Sequence, residues 1–125
     1  MEINQHMNQP HLTFFCELES HALQALFHNP SVLETLQALH ASVSMGLIDL
    51  SSERAEMVRR LDEAGVPVTA WLLLPRDEGY WFNLDNVRQA AARYDEFRTW
   101  AGDNHLHFAR VGLDIEPAIR ELEQF

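Results

Sequence analysis

The sequence predicts an α/β protein of four β-α units, which is the size of half a TIM-type (β/α)₈ barrel. Four short apolar runs alternate with longer segments in which apolar residues recur at three- and four-residue spacings. This alternation implies parallel strands joined by right-handed crossovers. A complete barrel typically needs about 250 residues, and this chain has 125. The alternative is a small open parallel sheet with helices on both faces, in three layers.

The polarity of the strand faces favours the half barrel. In a barrel the outward face of each strand meets helices, while the inward face can carry polar groups near its carboxyl end. Along residues 110–117, Leu113 and Ile115 point to one side of a strand while Asp114 and Glu116 point to the other. The first run divides in the same way, with Phe14, Cys16 and Leu18 on one side and Thr13, Phe15, Glu17 and Glu19 on the other.

The first half of the chain contains two of the apolar runs. The first run covers residues 11–18, and residues 23–39 that follow have helical spacing. Pro30 interrupts this spacing, which predicts two helical pieces with Ser31 near the start of the second. The second run covers residues 43–50.

The second unit ends with a predicted helix from about residue 52 to 64, which Gly65 terminates. Its expected apolar stripe is Ala55, Met57, Val58 and Leu61. The third run, residues 67–74, is nearly all apolar, which is typical of a strand covered on both faces. A longer loop follows over residues 75–82.

The third unit ends with a helix that opens at 83–86 and continues to roughly residue 102, and the fourth run covers residues 108–115. The expected inward residues of this helix are Val87, Ala91, Tyr94, Phe97 and Trp100. Pro117 suits the first turn of a final helix over residues 118–124. We interpret residues 1–10 as a flexible segment and residues 11–125 as one domain.

Composition narrows the classes of partner. The formal net charge is −10 and the nine basic residues are all arginine. This balance argues against nucleic acid and against an anionic membrane surface, and the lack of lysine removes Schiff-base chemistry. Cys16 lies in an apolar run and is expected to be a buried structural thiol. Because no signal peptide or transmembrane segment is evident, a cytoplasmic location is the default expectation.

Carboxylates follow three of the four predicted strands. Glu17 and Glu19 follow the first, Asp49 follows the second, and Asp114 and Glu116 follow the fourth. If the strands are parallel neighbours, these acids converge at one rim, where like charges raise the pKa of at least one carboxyl group. For Glu17, Glu19 and Asp49, the competing interpretation is an acid that starts or caps the following helix.

Aromatic residues stand beside these acids in the loop after the third strand. Tyr80, Trp81 and Phe82 are consecutive, and exposed rings beside carboxylates suit the apolar faces of sugars. The alternative for Trp81 and Phe82 is packing over the following helix. His21, His105 and His107 are the candidate metal-ligating histidines, but we expect structural or surface roles for them, with no metal and no other cofactor.

Residues 111–117, VGLDIEP, together with the Glu78-Gly79-Tyr80-Trp81 loop, resemble carbohydrate-active (β/α)₈ barrels. In the chitinase-like group, the fourth strand ends in alternating acids of which the last is the general acid. The resemblance implies that Glu116 is the proton donor and Asp114 its electrostatic partner. Ala109 and Gly112 stand where that group carries earlier acids, which argues against substrate-assisted chemistry of the chitinase type.

The leading hypothesis is therefore a glycosidase-like barrel, or a fragment of one, that acts on a saccharide. Glu116 and Asp114 would be catalytic, and Trp81, Tyr80, Glu17 and Asp49 would bind substrate. One alternative is a metal-dependent sugar isomerase or lyase that uses carboxylate ligands. Another is a non-catalytic α/β binding module. A half barrel leaves strand edges unpaired, so a homodimer or a C-terminal half in a longer chain is expected to complete it.

Overall fold

The computed structural model describes residues 10–116 and has the predicted alternation of strands and helices. Its strands are β1 (Thr13–Cys16), β2 (Ser42–Leu47), β3 (Val68–Leu72) and β4 (Arg110–Leu113). Its helices are α1 (Ser20–Phe27), α2 (Pro30–Ala38), α3 (Ser52–Glu63) and α4 (Val87–Asp103), with 3₁₀ turns at Arg76–Glu78 and Leu84–Asn86. Residues 1–9 of the expected flexible segment 1–10, and the expected final helix 118–124, lie outside the described residues.

The four strands form one parallel sheet in the order β1-β2-β3-β4. The register aligns Cys16 with Met45, Met45 with Ala70, and Leu72 with Leu113. Each strand therefore pairs with its successor in the chain. Crossovers between parallel strands are right-handed. Because each new strand is added on the same side of the previous one, all the connecting helices lie on the same face of the sheet.

One face of the sheet, here called the covered face, packs against the helices. Its side chains are Cys16, Val43, Met45, Leu47, Val68, Ala70 and Leu72. The four helices all bury apolar side chains in the same cluster, among them Leu23, Phe27, Leu36, Val58, Leu61, Phe97 and Trp100. Cys16 is 8% exposed, as expected for a structural thiol, and burial raises the pKa of its thiol group.

The other face, here called the open face, is not part of that cluster. It carries Thr13 and Phe15 from β1, Ser42, Ser44 and Gly46 from β2, Thr69 and Trp71 from β3, and Gly112 from β4. Within residues 10–116 the protein therefore has two layers rather than the three of the alternative prediction. The prediction that the third strand is covered on both faces is wrong, because Thr69 and Trp71 are only partly buried.

The helix boundaries follow the local signals in the sequence. Pro30 separates α1 from α2 as predicted, and the Asn29 side chain accepts a hydrogen bond from the backbone N–H of Ser31 at 3.0 Å. Ser51 caps α3 by accepting from the N–H of Arg54 at 3.1 Å. The predicted stripe of α3 is fully buried, with Ala55, Met57, Val58 and Leu61 at 0% exposure.

The inward face of α4 was predicted only in part. Phe97 and Trp100 are buried, but Val87 is 59% and Tyr94 44% exposed, and Ala91 is also exposed. The stripe that faces the sheet is instead Ala90, Arg93, Phe97 and Trp100. Arg93 takes an inward position because its guanidinium hydrogen-bonds backbone carbonyls at the strand ends, which leaves Tyr94 outside.

Candidate functional site

A depression lies on the open face near the carboxyl ends of the strands. Its volume is about 320 Å³, and its lining residues are Phe15, Ser44, Trp71, Gly112, Leu113 and Asp114. Phe15 and Trp71 meet edge to face, with their ring centroids 6.1 Å apart. Asp114 comes directly after β4 and is half-buried. The depression therefore joins two aromatic rings, a hydroxyl group and a carboxylate, which is a chemistry suited to a polyhydroxylated ligand.

Trp71, which lines this depression, carries an unpaired polar atom. Its indole Nε1–H is buried and has no hydrogen-bond partner among the described residues. A Cβ atom placed on Gly46 would lie 3.3 Å from Trp71 Cε3, so the benzene edge of the indole lies against β2. A buried N–H without an acceptor costs free energy.

Glu17 and Tyr80 meet at the rim. The Tyr80 hydroxyl donates a hydrogen bond to Glu17 Oε1, which links the loop after β3 to the end of β1. These two residues, both predicted substrate-binding residues, are thus neighbours although 63 positions separate them in the chain. Sequence order alone could not bring them together; the parallel sheet does so.

The loop that carries Tyr80 is held by Asn86, which is 5% exposed. The Asn86 Nδ2 donates to the carbonyls of Glu78 and Trp81, at 3.2 and 2.8 Å. Its Oδ1 accepts from the N–H of Asn83 at 2.8 Å. Gly79 has a φ of 104°, and a Cβ there would lie 2.8 Å from Asn86 Nδ2, so both its backbone angle and its contact require glycine.

Trp81 lies at the surface beside this rim. It is 41% exposed and meets Tyr80 edge to face, with centroids 5.2 Å apart. Phe82 is buried, as the alternative interpretation of a packing role expected. Trp81 is therefore the ring of this loop that is available to a ligand.

Asp49 is engaged within the protein. Its Oδ1 accepts from Arg54 Nε at 3.1 Å, and its Oδ2 accepts from the Ser20 hydroxyl at 3.0 Å. It also accepts from the N–H of Ser51 at 3.1 Å, whereas the side chain that caps α3 is that of Ser51 itself. Burial by itself would raise the pKa of Asp49, but Arg54 and the hydrogen bonds from Ser51 and Ser20 hold it well below its usual range.

Glu116 lies beyond the depression, three residues after the end of β4. It is exposed, and its backbone N–H donates to the carbonyl of Phe82 at 3.0 Å. It contributes to a separate groove of about 390 Å³ whose other lining residues include Phe82, Leu84, Val87, Leu113 and Ile115. The structure thus brings Asp114 together with Trp71, and Glu17 together with Tyr80, but it does not place Glu116 in either group.

A buried arginine, Arg54, and a partly buried one, Arg93, are the residues that sequence reasoning missed. Arg54 is 0% exposed, and besides Asp49 it hydrogen-bonds the carbonyls of Gly46 at 3.1 Å and Leu18 at 2.8 Å. Arg93 donates to the carbonyl of Leu73 at 3.1 Å. Each arginine precedes two buried residues at spacings of four and seven, so helical periodicity already placed both on an apolar stripe. They hold the carboxyl ends of the strands, where the site is built.

Among residues 10–116, no group of three or more histidine, cysteine, aspartate or glutamate side chains is arranged to hold a metal ion. None of the helices in this range combines the length and apolar character needed to cross a membrane.

No protein-family model, no curated protein and no solved structure matches this chain. The site must therefore be interpreted from its own chemistry.

Proposed function

We propose that this chain supplies four β-α units of a (β/α)₈ barrel that binds and hydrolyses a saccharide at its carboxyl-end rim. The architecture supports this proposal, because parallel strands in sequence order with helices on one face are what a segment of a barrel requires. A doubly wound sheet would instead reverse its strand order at a switch point.

The observation that carries the proposal is the aromatic and acidic depression at the carboxyl end of the open face. Trp71 and Phe15 offer ring surfaces, and Asp114 offers a carboxylate beside them. Stacking on aromatic rings binds the apolar face of a sugar, while carboxylates bind its hydroxyl groups. In barrel enzymes, this end of the strands is where chemistry occurs.

Each acid has a distinct role in the proposal. Asp114, in the depression, stabilises the positive charge that develops on the sugar ring, and Glu116, in the groove that shares Leu113 with the depression, donates a proton to the glycosidic oxygen. Tyr80, Trp81 and Glu17 contact neighbouring sugar units at the rim. Asp49 acts indirectly, because its pairing with Arg54 fixes the loop that follows β2.

The test is hydrolysis by purified protein of a panel of 4-nitrophenyl glycosides and of cello-, chito- and malto-oligosaccharides. Glu116→Gln and Asp114→Asn should each lower kcat by about 10²- to 10⁴-fold, the usual contribution of acid–base and electrostatic groups. The matched control is Glu63→Gln, an exposed acid at the end of α3, which should retain full activity.

Each outcome of this experiment either supports or rejects a stated part of the proposal. Loss of turnover in both site variants with an unchanged far-UV circular dichroism spectrum supports the proposal. Equal activity in wild type and Glu116→Gln rejects the proton-donor role. No turnover of any member of the panel by the wild-type protein rejects glycoside hydrolysis of these sugars as the function.

A further inference from the structure

Among residues 10–116, no strand pairs with the outer edge of β1 or of β4. Natural proteins protect edge strands with charged side chains, proline or bulges, because an unprotected edge invites another strand. β1 has the sequence TFFC and contains no such residue, and β4, RVGL, has one charge, Arg110, at its start. Neither strand is blocked against a neighbour.

Apolar side chains are exposed along the same two edges. They are Leu12, Phe14 and Phe15 at β1 and Val111, Leu113 and Ile115 at β4, with exposures between 42% and 76%. Exposed apolar surface concentrated in this way marks an interaction site rather than the scattered surface residues of an ordinary monomer.

A groove of about 540 Å³ runs along the β1 edge on the helix side. Its walls come from β1, α1 and α2 and include Phe14, Leu26, Phe27, Val32 and Leu36. On its other side α1 packs against α3, the helix of the next crossover. The groove is thus the position that a helix would take over a further strand added beside β1.

We propose that a second copy of this chain adds to both edges, with β4 of each copy paired in parallel with β1 of the other. This inference rests on the barrel architecture of the proposed function. A two-fold axis along the strands preserves their direction, so both seams are parallel and identical. Eight strands then close into one barrel and no edge remains unpaired.

The size of the two seams suits a stable dimer. Burying the exposed parts of these six side chains on both copies removes on the order of 1,000 Å² of apolar surface, before backbone pairing is counted, and stable interfaces bury about 1,200–2,000 Å² in total. The charge distribution is compatible with this arrangement. Each chain carries a net charge of −10, but the only charged side chain in the two seam strands is Arg110.

The dimer also completes the site. Pairing of β4 with β1 of the second copy brings Asp114 of one chain towards Glu17 and Tyr80 of the other. The open face becomes the interior of the barrel, which encloses the depression beneath Trp71 and removes it from bulk water. A single copy would leave this site open along its whole length.

The test is the mass of the 125-residue chain in solution, measured by light scattering after size exclusion and by sedimentation at physiological ionic strength. We expect twice the 14.4 kDa mass of one chain. Val111→Lys and Phe14→Lys place a charge at the two sides of each seam and should give folded single chains. Leu39→Lys, at an exposed apolar residue that follows α2 and is outside both seams, should remain a dimer.

A wild-type protein that is a single chain, or that forms open-ended oligomers, overturns the proposal, as does a dimer that survives both seam substitutions. If the seam variants fail to fold, amide hydrogen exchange of the wild type decides. The closed barrel requires slow exchange along both outer edges of β1 and β4, and fast exchange there overturns it. These results do not depend on turnover, so a dimer without hydrolysis would contradict the proposed function alone.

Discussion

The two faces of β2 show how one strand serves two purposes. Val43, Met45 and Leu47 point to the covered face and are at most 1% exposed, because four helices pack over them. Ser42 and Ser44, which alternate with them, are also buried, although no helix among residues 10–116 covers that side. Flanking side chains such as Phe15 and Trp71 enclose Ser44 instead. The covered face therefore provides the packing that stabilises the fold, and the open face contains the candidate site.

The largest predicted effect comes from removing the cation that secures the strand ends of the covered face. Arg54→Met leaves Asp49 without its cation and the carbonyls of Gly46 and Leu18 without their donor. Losing one partner of a buried ion pair typically costs about 3–5 kcal/mol, measured here as the free energy of urea unfolding. Arg88→Met, at an exposed position of α4, is the control and should change it by less than about 0.5 kcal/mol. Similar losses in both variants would contradict a specific role for Arg54.

A matched pair of substitutions on β2 compares how much each face of the sheet contributes to the free energy of unfolding. Met45→Ala removes a fully buried side chain from the helix-covered core and should cost about 2–5 kcal/mol. Ser44→Ala, at the adjacent position on the open face, should cost less than about 1 kcal/mol because it deletes one small hydroxyl group. The free energy of unfolding of the two variants is measured by chemical denaturation under the same conditions. Equal losses would show that the open face is as important to stability as the covered one.

The smallest predicted effect is the pH dependence of the stability that Asp49 contributes at the rim. Asp49 has a folded-state pKa below the unfolded value of about 3.9, so its contribution to stability is present above that value. It is lost as the pH falls through the folded-state pKa. The stability difference between wild type and Asp49→Asn should therefore narrow on acidification below about pH 4, as seen in urea midpoints at a series of pH values. A difference that stays constant would show that the ion pair does not set this pKa.

The elements themselves could be predicted because their signals are local. Pro30 separated α1 from α2, Ser51 and Gly65 bounded α3, and alternation in β1 placed Cys16 on the covered face. The errors occurred where composition was ambiguous. β3 is nearly all apolar, so its pattern alone could not show that Thr69 and Trp71 face an uncovered side. In α4, Tyr94 was predicted inward because aromatic residues usually are, whereas Arg93 takes the inward position.

The candidate site was predictable only in outline. The sequence indicated acids at the ends of strands, and Asp114 indeed lines a depression on the open face. Nothing in the local pattern shows that the indole N–H of Trp71 is left without an acceptor. The sequence also could not join Glu17 to Tyr80, since that contact depends on the pairing of β1, β2 and β3.

The sequence by itself determined the alternation of strands and helices, their approximate ends and the sidedness of β1 and β4, because periodicity and capping act over a few residues. Tertiary structure alone decided the strand order, the single layer of helices and the burial of Arg54. These features depend on contacts between residues far apart in the chain, whose free energy exists only once the strands are paired and packed.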